Sequence, residues 1–185
     1  MPQLKMIMLF AKFPVPEIPE PGKGFRVRTF TEKDRPAYLE LRRICGFNSE
    51  NTAADLAAAQ ANMRDGGFVL IEESSTGKIT ASAMSRKGYY KDYDNLSWVM
   101  TDPAFRGRSF GRIVCIAALR CSQKSGAAGM TLATDDFREP ALRMYLKLGW
   151  RPWLYTDKDR MKQRWLDLRD KLEIEGAAEF MDFSR

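Results

Sequence analysis

At 185 residues, 44% of them hydrophobic, the chain suits one globular domain with a substantial core. It contains no histidine, which excludes a His-based triad, a His metal site and a His general base. The formal charge of +6 is spread among acidic residues apart from one local group of arginines, so it points to a focused anionic ligand and away from a nucleic-acid partner.

Residues 1–24 hold an apolar run at 4–13, read as an edge strand, and then Pro14, Pro16, Pro19 and Pro21 with Gly22 and Gly24, read as a stiff linker. The apolar stretch within that run, Met6 to Ala11, is too short and too weakly flanked for a signal peptide, and no segment reaches membrane-spanning length, so no membrane partner is expected. Cys45, Cys115 and Cys121 form no CxxC pair, which predicts reduced thiols and a cytoplasmic protein. The domain proper is expected over residues 25–156, with a C-terminal helix and tail at 157–185.

Residues 25–30 alternate with period two, as a half-buried strand does. Thr31 as N-cap, Asp34 three residues on and Pro36 in the first turn predict a helix over 32–44, with Tyr38, Leu41 and Ile44 at helical spacing. A second, alanine-rich helix is expected from Ser49 to about Arg64, stopped by Gly66-Gly67. Residues 68–73 and 78–86 read as a hairpin around Ser74-Ser75-Thr76-Gly77, and 87–95, with Tyr89, Tyr90 and Tyr93, as a loop.

The stretch 96–112, LSWVMTDPAFRGRSFGR, outlines a strand, a turn and the start of a helix. Such a turn leaves the first helical amides unpaired, and the helix dipole adds positive charge there, so an anion should bind. Gly107 and Gly111 remove side chains where backbone would approach a phosphate, and Arg106, Arg108 and Arg112 supply charge. Neither GxxxxGK[ST] nor GxGxxG is present. An apolar helix is expected to 124, a buried strand at 130–134, and a helix with Pro140 early, Ala141, Met144, Tyr145 and Leu148 on one face and Gly149 at its end. Residues 150–155 read as a strand, and 157–175 as a charged helix whose stripe Met161, Trp165, Leu168 and Leu172 docks on the domain or on a second subunit.

Thr101-Asp102-Pro103 followed by Arg106-Gly107-Arg108-Ser109-Phe110-Gly111 resembles the acetyl-CoA pyrophosphate loop of the GNAT N-acetyltransferases, with Ser109 in place of the usual middle glycine. Residues 138–152, REPALRMYLKLGWRP, resemble the next motif of that family: Ala141, Tyr145, Gly149 and Trp150 stand at the matching steps, and Arg138 where Asn is common. The resemblance covers about 25–155. It implies an α/β (α+β) GNAT acyl-CoA N-acyltransferase fold, a central mixed, mostly antiparallel sheet flanked by helices. It also implies acetyl transfer from acetyl-CoA, with no metal, to a primary amine of a small molecule or peptide. Residues 106–112 (Arg106, Gly107, Arg108, Ser109, Phe110, Gly111, Arg112) would hold the pyrophosphate, and Val99, Met100 and Thr101 the pantetheine. Arg138 and Ala141 would complete the cofactor site, and Tyr145 would be the general acid for the departing thiolate.

The strand before the loop carries no titratable group from Leu96 to Val99. The base is therefore left among Glu72, Glu73, Asp94, Asp135 or a water relay ending at one of them, with Glu72 ranked first. Relatives usually add a last strand after the second motif. Here the arm 4–13 is expected to pair at that edge, within the chain or across a homodimer. The alternatives are a catalytically silent acyl-CoA-binding relative and a nucleic-acid-binding α/β module.

Overall fold

The computed structural model describes residues 2–47, 52–173 and 179–181. These form strands β1 (Leu4–Leu9) and β2 (Phe25–Thr29), helices α1 (Arg35–Ile44) and α2 (Thr52–Ala61), and strands β3 (Met63–Glu73), β4 (Ile79–Lys87) and β5 (Tyr93–Thr101). Helix α3 (Phe110–Lys124), strand β6 (Gly129–Thr134), helix α4 (Glu139–Lys147), the short strand β7 (Arg151–Pro152) and helix α5 (Lys158–Leu172) follow. The expected helix start at Ser49 and helix end at 175 lie outside the described residues. The chain divides into two compact units, Val15–Ala127 and a second one made of the first 14 residues with those from Ala128 onward.

In Val15–Ala127, β2, β3, β4 and β5 form an antiparallel sheet in chain order. The predicted capping geometry is present: the Thr31 backbone N–H donates to Asp34 Oδ2 at 2.7 Å. It closes a short 3-10 turn, Glu32–Asp34, so the α-helix itself begins three residues later than expected. Tyr38 and Leu41 point into a core with Leu56, Ala59, Phe68, Leu70, Ile79, Met84 and Met100, while α3 packs against β3, β4 and β5. Arg42 is also buried on α1, whereas Ile44 is only half-buried.

Gly66-Gly67 does not end a helix. The helix stops at Ala61 and β3 is already running at Met63. The two glycines sit where the β3–β4 register shifts between Met63 and Phe68. Gly66 has φ +67, and a Cβ on Gly67 would stand 2.6 Å from the Ser85 carbonyl oxygen, so the pair serves a bulge and a close strand contact. The hairpin forms as expected, and β5 begins at Tyr93, inside the predicted loop.

In the second unit, β1 forms but is not an edge strand. It pairs antiparallel with β6 from Leu4↔Thr134 to Leu9↔Gly129, and on its other side with β7 at Met6↔Pro152 and Ile7↔Arg151. Leu4, Met6, Ile7 and Met8 are each at most 1% exposed, the near-continuous burial of a strand covered on both faces. The predicted strand 150–155 contracts to two ladder residues, and the Met181 N–H donates to the Pro152 carbonyl at 2.9 Å on the outer side of β7. The α5 stripe is buried within the single chain: Met161, Trp165, Leu168 and Leu172 are at most 7% exposed. Each such burial is worth about 2 kcal/mol.

Candidate active site

The strand that leads into the arginine-rich loop is irregular at one place. Met84 pairs with Ser97 and Ser82 with Met100, so β5 holds one residue more than β4 over that interval. The extra residue forces Trp98 to φ +47, a backbone conformation costly for a bulky side chain. The Trp98 carbonyl accepts from Ser82 Oγ at 3.4 Å. Beyond the bulge lie Val99 and Thr101, both half-buried, and Met100, buried.

Asp102 locks the turn. Its N–H donates to the Thr80 carbonyl, its Oδ1 accepts the Ala104 N–H at 2.9 Å, and its Oδ2 stands 2.7 Å from Lys78 Nζ. Burial pushes the Asp102 carboxyl up, but the Lys78 ammonium and the Ala104 amide outweigh it and hold the group below the usual range. Sequence reasoning placed Asp102 in the motif but missed Lys78, whose partner lies across the sheet and outside any local spacing.

Gly107 then takes φ +81 with no atom within 4 Å of where a Cβ would be, so the loop is open above its backbone. Ser109 is the N-cap of α3 at φ +61, and its side chain makes no capping bond. The first helical bond it serves runs from the Ile113 N–H to its own carbonyl, at 3.0 Å. The N–H groups of Phe110, Gly111 and Arg112 therefore head the helix with no side-chain acceptor, the arrangement that binds an anion. Arg106, Arg108 and Arg112 are exposed around them. Phe110 contributes its amide only, because its ring is buried 4.9 Å from Phe25. Phe105 packs edge-on to Phe25 at 5.9 Å, and the Arg108 guanidinium lies 5.5 Å from the Phe25 ring. Open backbone, uncapped amides and three cations fit the pyrophosphate of acetyl-CoA.

Tyr145, Arg138 and Ala141 belong to the other unit. Tyr145 is buried on α4 with its ring 5.9 Å from Trp150, edge to face. Arg138 is the N-cap of α4; its carbonyl accepts from the Ala141 and Leu142 N–H groups, and its Nε donates to Asp135 at 3.2 Å. Ala141 is half-buried, and the buried face of α4 runs instead through Leu142, Tyr145 and Leu146.

Each carboxylate weighed as a base is already engaged. Glu72 is 5% exposed and accepts Arg26 Nη2 at 2.7 Å and Arg28 Nε on its other oxygen. Burial pushes its carboxyl up, yet the hydrogen bonds from Arg26 and Arg28 outweigh it and lower it below the usual range. Arg28 also forks onto Asp34, at 2.6 and 2.7 Å, and chiefly by that contact holds it down to about 2. Asp94 is fully buried and takes Arg64 Nη2 on Oδ1 at 2.7 Å and Ser122 Oγ on Oδ2 at 2.7 Å. Asp135 accepts from Gln3 and Arg138, and Glu73 from the Thr76 hydroxyl at 2.6 Å. Glu72 thus stands with the β2 arginines.

The sequence matches the acetyltransferase (GNAT) family over residues 31–150. Two curated relatives are mycothiol acetyltransferases. The one from Thermobispora bispora is 30% identical over 158 residues, covering 78% of this chain and 52% of its own length. The one from Thermomonospora curvata is 29% identical over 143 residues, covering 74% and 47%. The chain thus spans about half the length of the curated relatives it matches. Among solved structures, a GCN5-related N-acetyltransferase from Sphaerobacter thermophilus superposes with a TM-score of 0.65 at 21% identity, over 82% of this chain and 49% of that one. The ribosomal-protein-S18-alanine N-acetyltransferase from Escherichia coli gives 0.56 at 18%, over 68% and 76%. The fold, the uncapped helix start behind the bulged strand and the match over residues 31–150 agree, and the chain belongs to the acetyltransferase (GNAT) family, a family of acyltransferases.

Proposed function

We propose that the chain transfers an acetyl group from acetyl-CoA to a primary amine of a small molecule or peptide. The observation that carries this reading is the start of α3, where a left-handed Ser109 caps nothing and three exposed arginines surround the free first-turn amides. The amides of Phe110, Gly111 and Arg112 bind the pyrophosphate, Arg106, Arg108 and Arg112 neutralise it, and the backbone of Val99, Met100 and Thr101 orients the pantetheine arm. Acetyl-CoA supplies the thioester-activated acetyl group. Arg138 and Ala141, at the start of α4, are assigned to the same cofactor by the family motif alone.

Tyr145 is the proposed general acid, from its place in that motif, with the phenol O–H as the proton donor. For Glu72, the ion pairs to Arg26 and Arg28 weigh against the base role, because both favour the ionised form. A water relay is the proposed route for the amine proton. The full engagement of these carboxylates is also the observation that favours a second reading, a relative that binds acyl-CoA without catalysis.

The test is CoA release over a panel of amines, amino acids and peptide N-termini. The names of the two curated relatives put the acceptor of mycothiol acetyltransferase in that panel. Turnover on any acceptor, reduced about tenfold or more in Tyr145→Phe with acetyl-CoA affinity kept, supports the proposal. Acetyl-CoA binding without release across the panel supports the silent reading.

A further inference from the structure

Arg42 is a buried cation whose ion pair among the described residues is long. It is 4% exposed, and its Nε and Nη1 have no hydrogen-bond partner. Its ion pair runs from Nη2 to Asp55 Oδ2 at 4.0 Å, the outer limit of such a contact, and the Asp55 side chain is 44% exposed. One turn earlier on α1 the Tyr38 hydroxyl is also buried, beside Arg42 and with no hydrogen bond of good geometry. Burial pushes that phenol up in pKa, and the charge and hydrogen bonding of Arg42 beside it act in the opposite direction. Arg86 adds positive charge in the same neighbourhood, with its own donors spent on Ser97 Oγ at 3.0 Å and Asn95 Oδ1 at 3.5 Å. Among the described residues, two guanidiniums and a phenol thus converge with the partly exposed Asp55 as the carboxylate paired to Arg42, an arrangement that an added anion would stabilise.

The place of this cluster is set by the bulge. The Arg42 guanidinium lies 3.8 Å from the ring centroid of Trp98, the residue that the bulge holds at φ +47. Trp98 immediately precedes Val99, Met100 and Thr101, the strand assigned to the pantetheine arm. The Cys45 thiol, just after α1, donates to the Thr101 carbonyl at 3.5 Å, so α1 is held against that same strand. An anion bound at Arg42 is therefore a neighbour of the acyl donor.

We infer that the acceptor is an amine bearing a carboxylate, and that the unpaired N–H groups of Arg42 bind this carboxylate with the Tyr38 hydroxyl as a further donor. A planar, singly charged carboxylate matches one enclosed guanidinium held 3.8 Å from an indole ring, whereas a phosphate dianion demands more donors than this site offers. Naming the ligand an acceptor rests on the acetyl-transfer reading; the anion selectivity of Arg42 does not.

The experiment is calorimetric titration of N-acetylglycine, N-acetylalanine and N-acetylphenylalanine, each against its carboxamide, into the full chain with and without CoA. At least one acid is expected to bind about tenfold or more tighter than its amide, as loss of a charge-assisted hydrogen bond to a buried group implies. Arg42→Met is expected to abolish that difference, leave CoA affinity unchanged and give a melting temperature no lower than the parent's, since the cation it removes is poorly paired. Arg42→Lys, which keeps the charge and loses the planar fork, is expected to lose most of the selectivity and so serves if the methionine variant misfolds. Equal binding of acids and amides, no binding of either, or selectivity that survives in the variants overturns the proposal. Absence of CoA binding, with acid selectivity intact, overturns the acetyl-transfer reading instead.

Discussion

Helices α3 and α5 are of equal length, 15 residues each, and both start from an N-cap in the left-handed region, Ser109 at φ +61 and Asp157 at φ +32. They differ in what the cap does. Asp157 turns its carboxylate back to accept the Arg160 N–H at 3.4 Å, closing the helix start from within. The Ser109 side chain caps nothing, and the helix start behind it stays open among exposed arginines. The α5 start is closed by its own cap and the α3 start, the proposed pyrophosphate site, is left open, although the backbone enters both in a similar way. The carboxylates repeat the contrast: Glu72 and Asp94 are closed by arginines from within, while the cations at 106, 108 and 112 face outward.

The strongest test makes α3 begin as α5 does. Ser109→Asp keeps a residue type tolerated in the left-handed region and places a carboxylate where it self-caps the first-turn amides. Acetyl-CoA affinity, measured by titration calorimetry, is expected to fall about 100-fold, roughly 2.7 kcal/mol, with melting temperature unchanged or raised. Unchanged affinity removes the α3 start from the cofactor site.

Next in size is Glu72→Gln. The variant leaves Arg28 paired with Asp34 and half its cluster uncompensated, and should cost about 2 kcal/mol, read as a melting temperature about 4–8 °C lower. The folded-state pKa values of Glu72 and Asp34 lie below their unfolded values, Asp34 at about 2. Their stabilisation is therefore full above the ordinary carboxylate range, about pH 4, and is lost as pH falls through the lowered folded-state values, about 2 for Asp34. The wild type should lose stability across that window, and Glu72→Gln should lose less. If the variant keeps its stability but loses the acidic limb of its pH–rate profile, Glu72 is a base and the closed carboxylates no longer contrast with the open loop.

What the sequence made legible is local, and what it hid is non-local. The capped turn that leads into α1 followed from Thr31 and Asp34, and the open turn ahead of α3 from glycines and arginines at fixed spacing, because those signals act within one turn of chain. The engagement of Glu72 by Arg26 and Arg28 was invisible, since it depends on the register of β2 on β3, where Arg26 stands opposite Glu72. The Gly66-Gly67 bulge was misread as a helix stop because both need the same residue, and only the partner strand distinguishes them. The burial of β1 on both faces was written in its run of apolar residues, but nothing in the run names β6 and β7 as partners. Arg42 escaped for a related reason: on α1 it sits one position after Leu41, and only the ring of Trp98 explains why it points inward.

The smallest expected effect is the one that isolates the cap. Ser109 stands where the family motif has glycine, and its φ of +61 costs an L-residue on the order of 1 kcal/mol. Since its side chain makes no capping bond, Ser109→Gly gives up nothing there. The relief of strain is partly offset by the greater freedom of glycine in the unfolded chain, leaving a gain of about 0.5 kcal/mol and a melting temperature about 1–2 °C higher. Asp157→Ala works in the opposite direction, with loss of the cap and added left-handed strain lowering the melting temperature by about 2–4 °C. Opposite signs at the two positions, read by calorimetry, mean that α5 depends on its cap and α3 does not. A fall in both would show that the Ser109 hydroxyl already closes α3, and the amides proposed to hold the pyrophosphate would then not be free to do so.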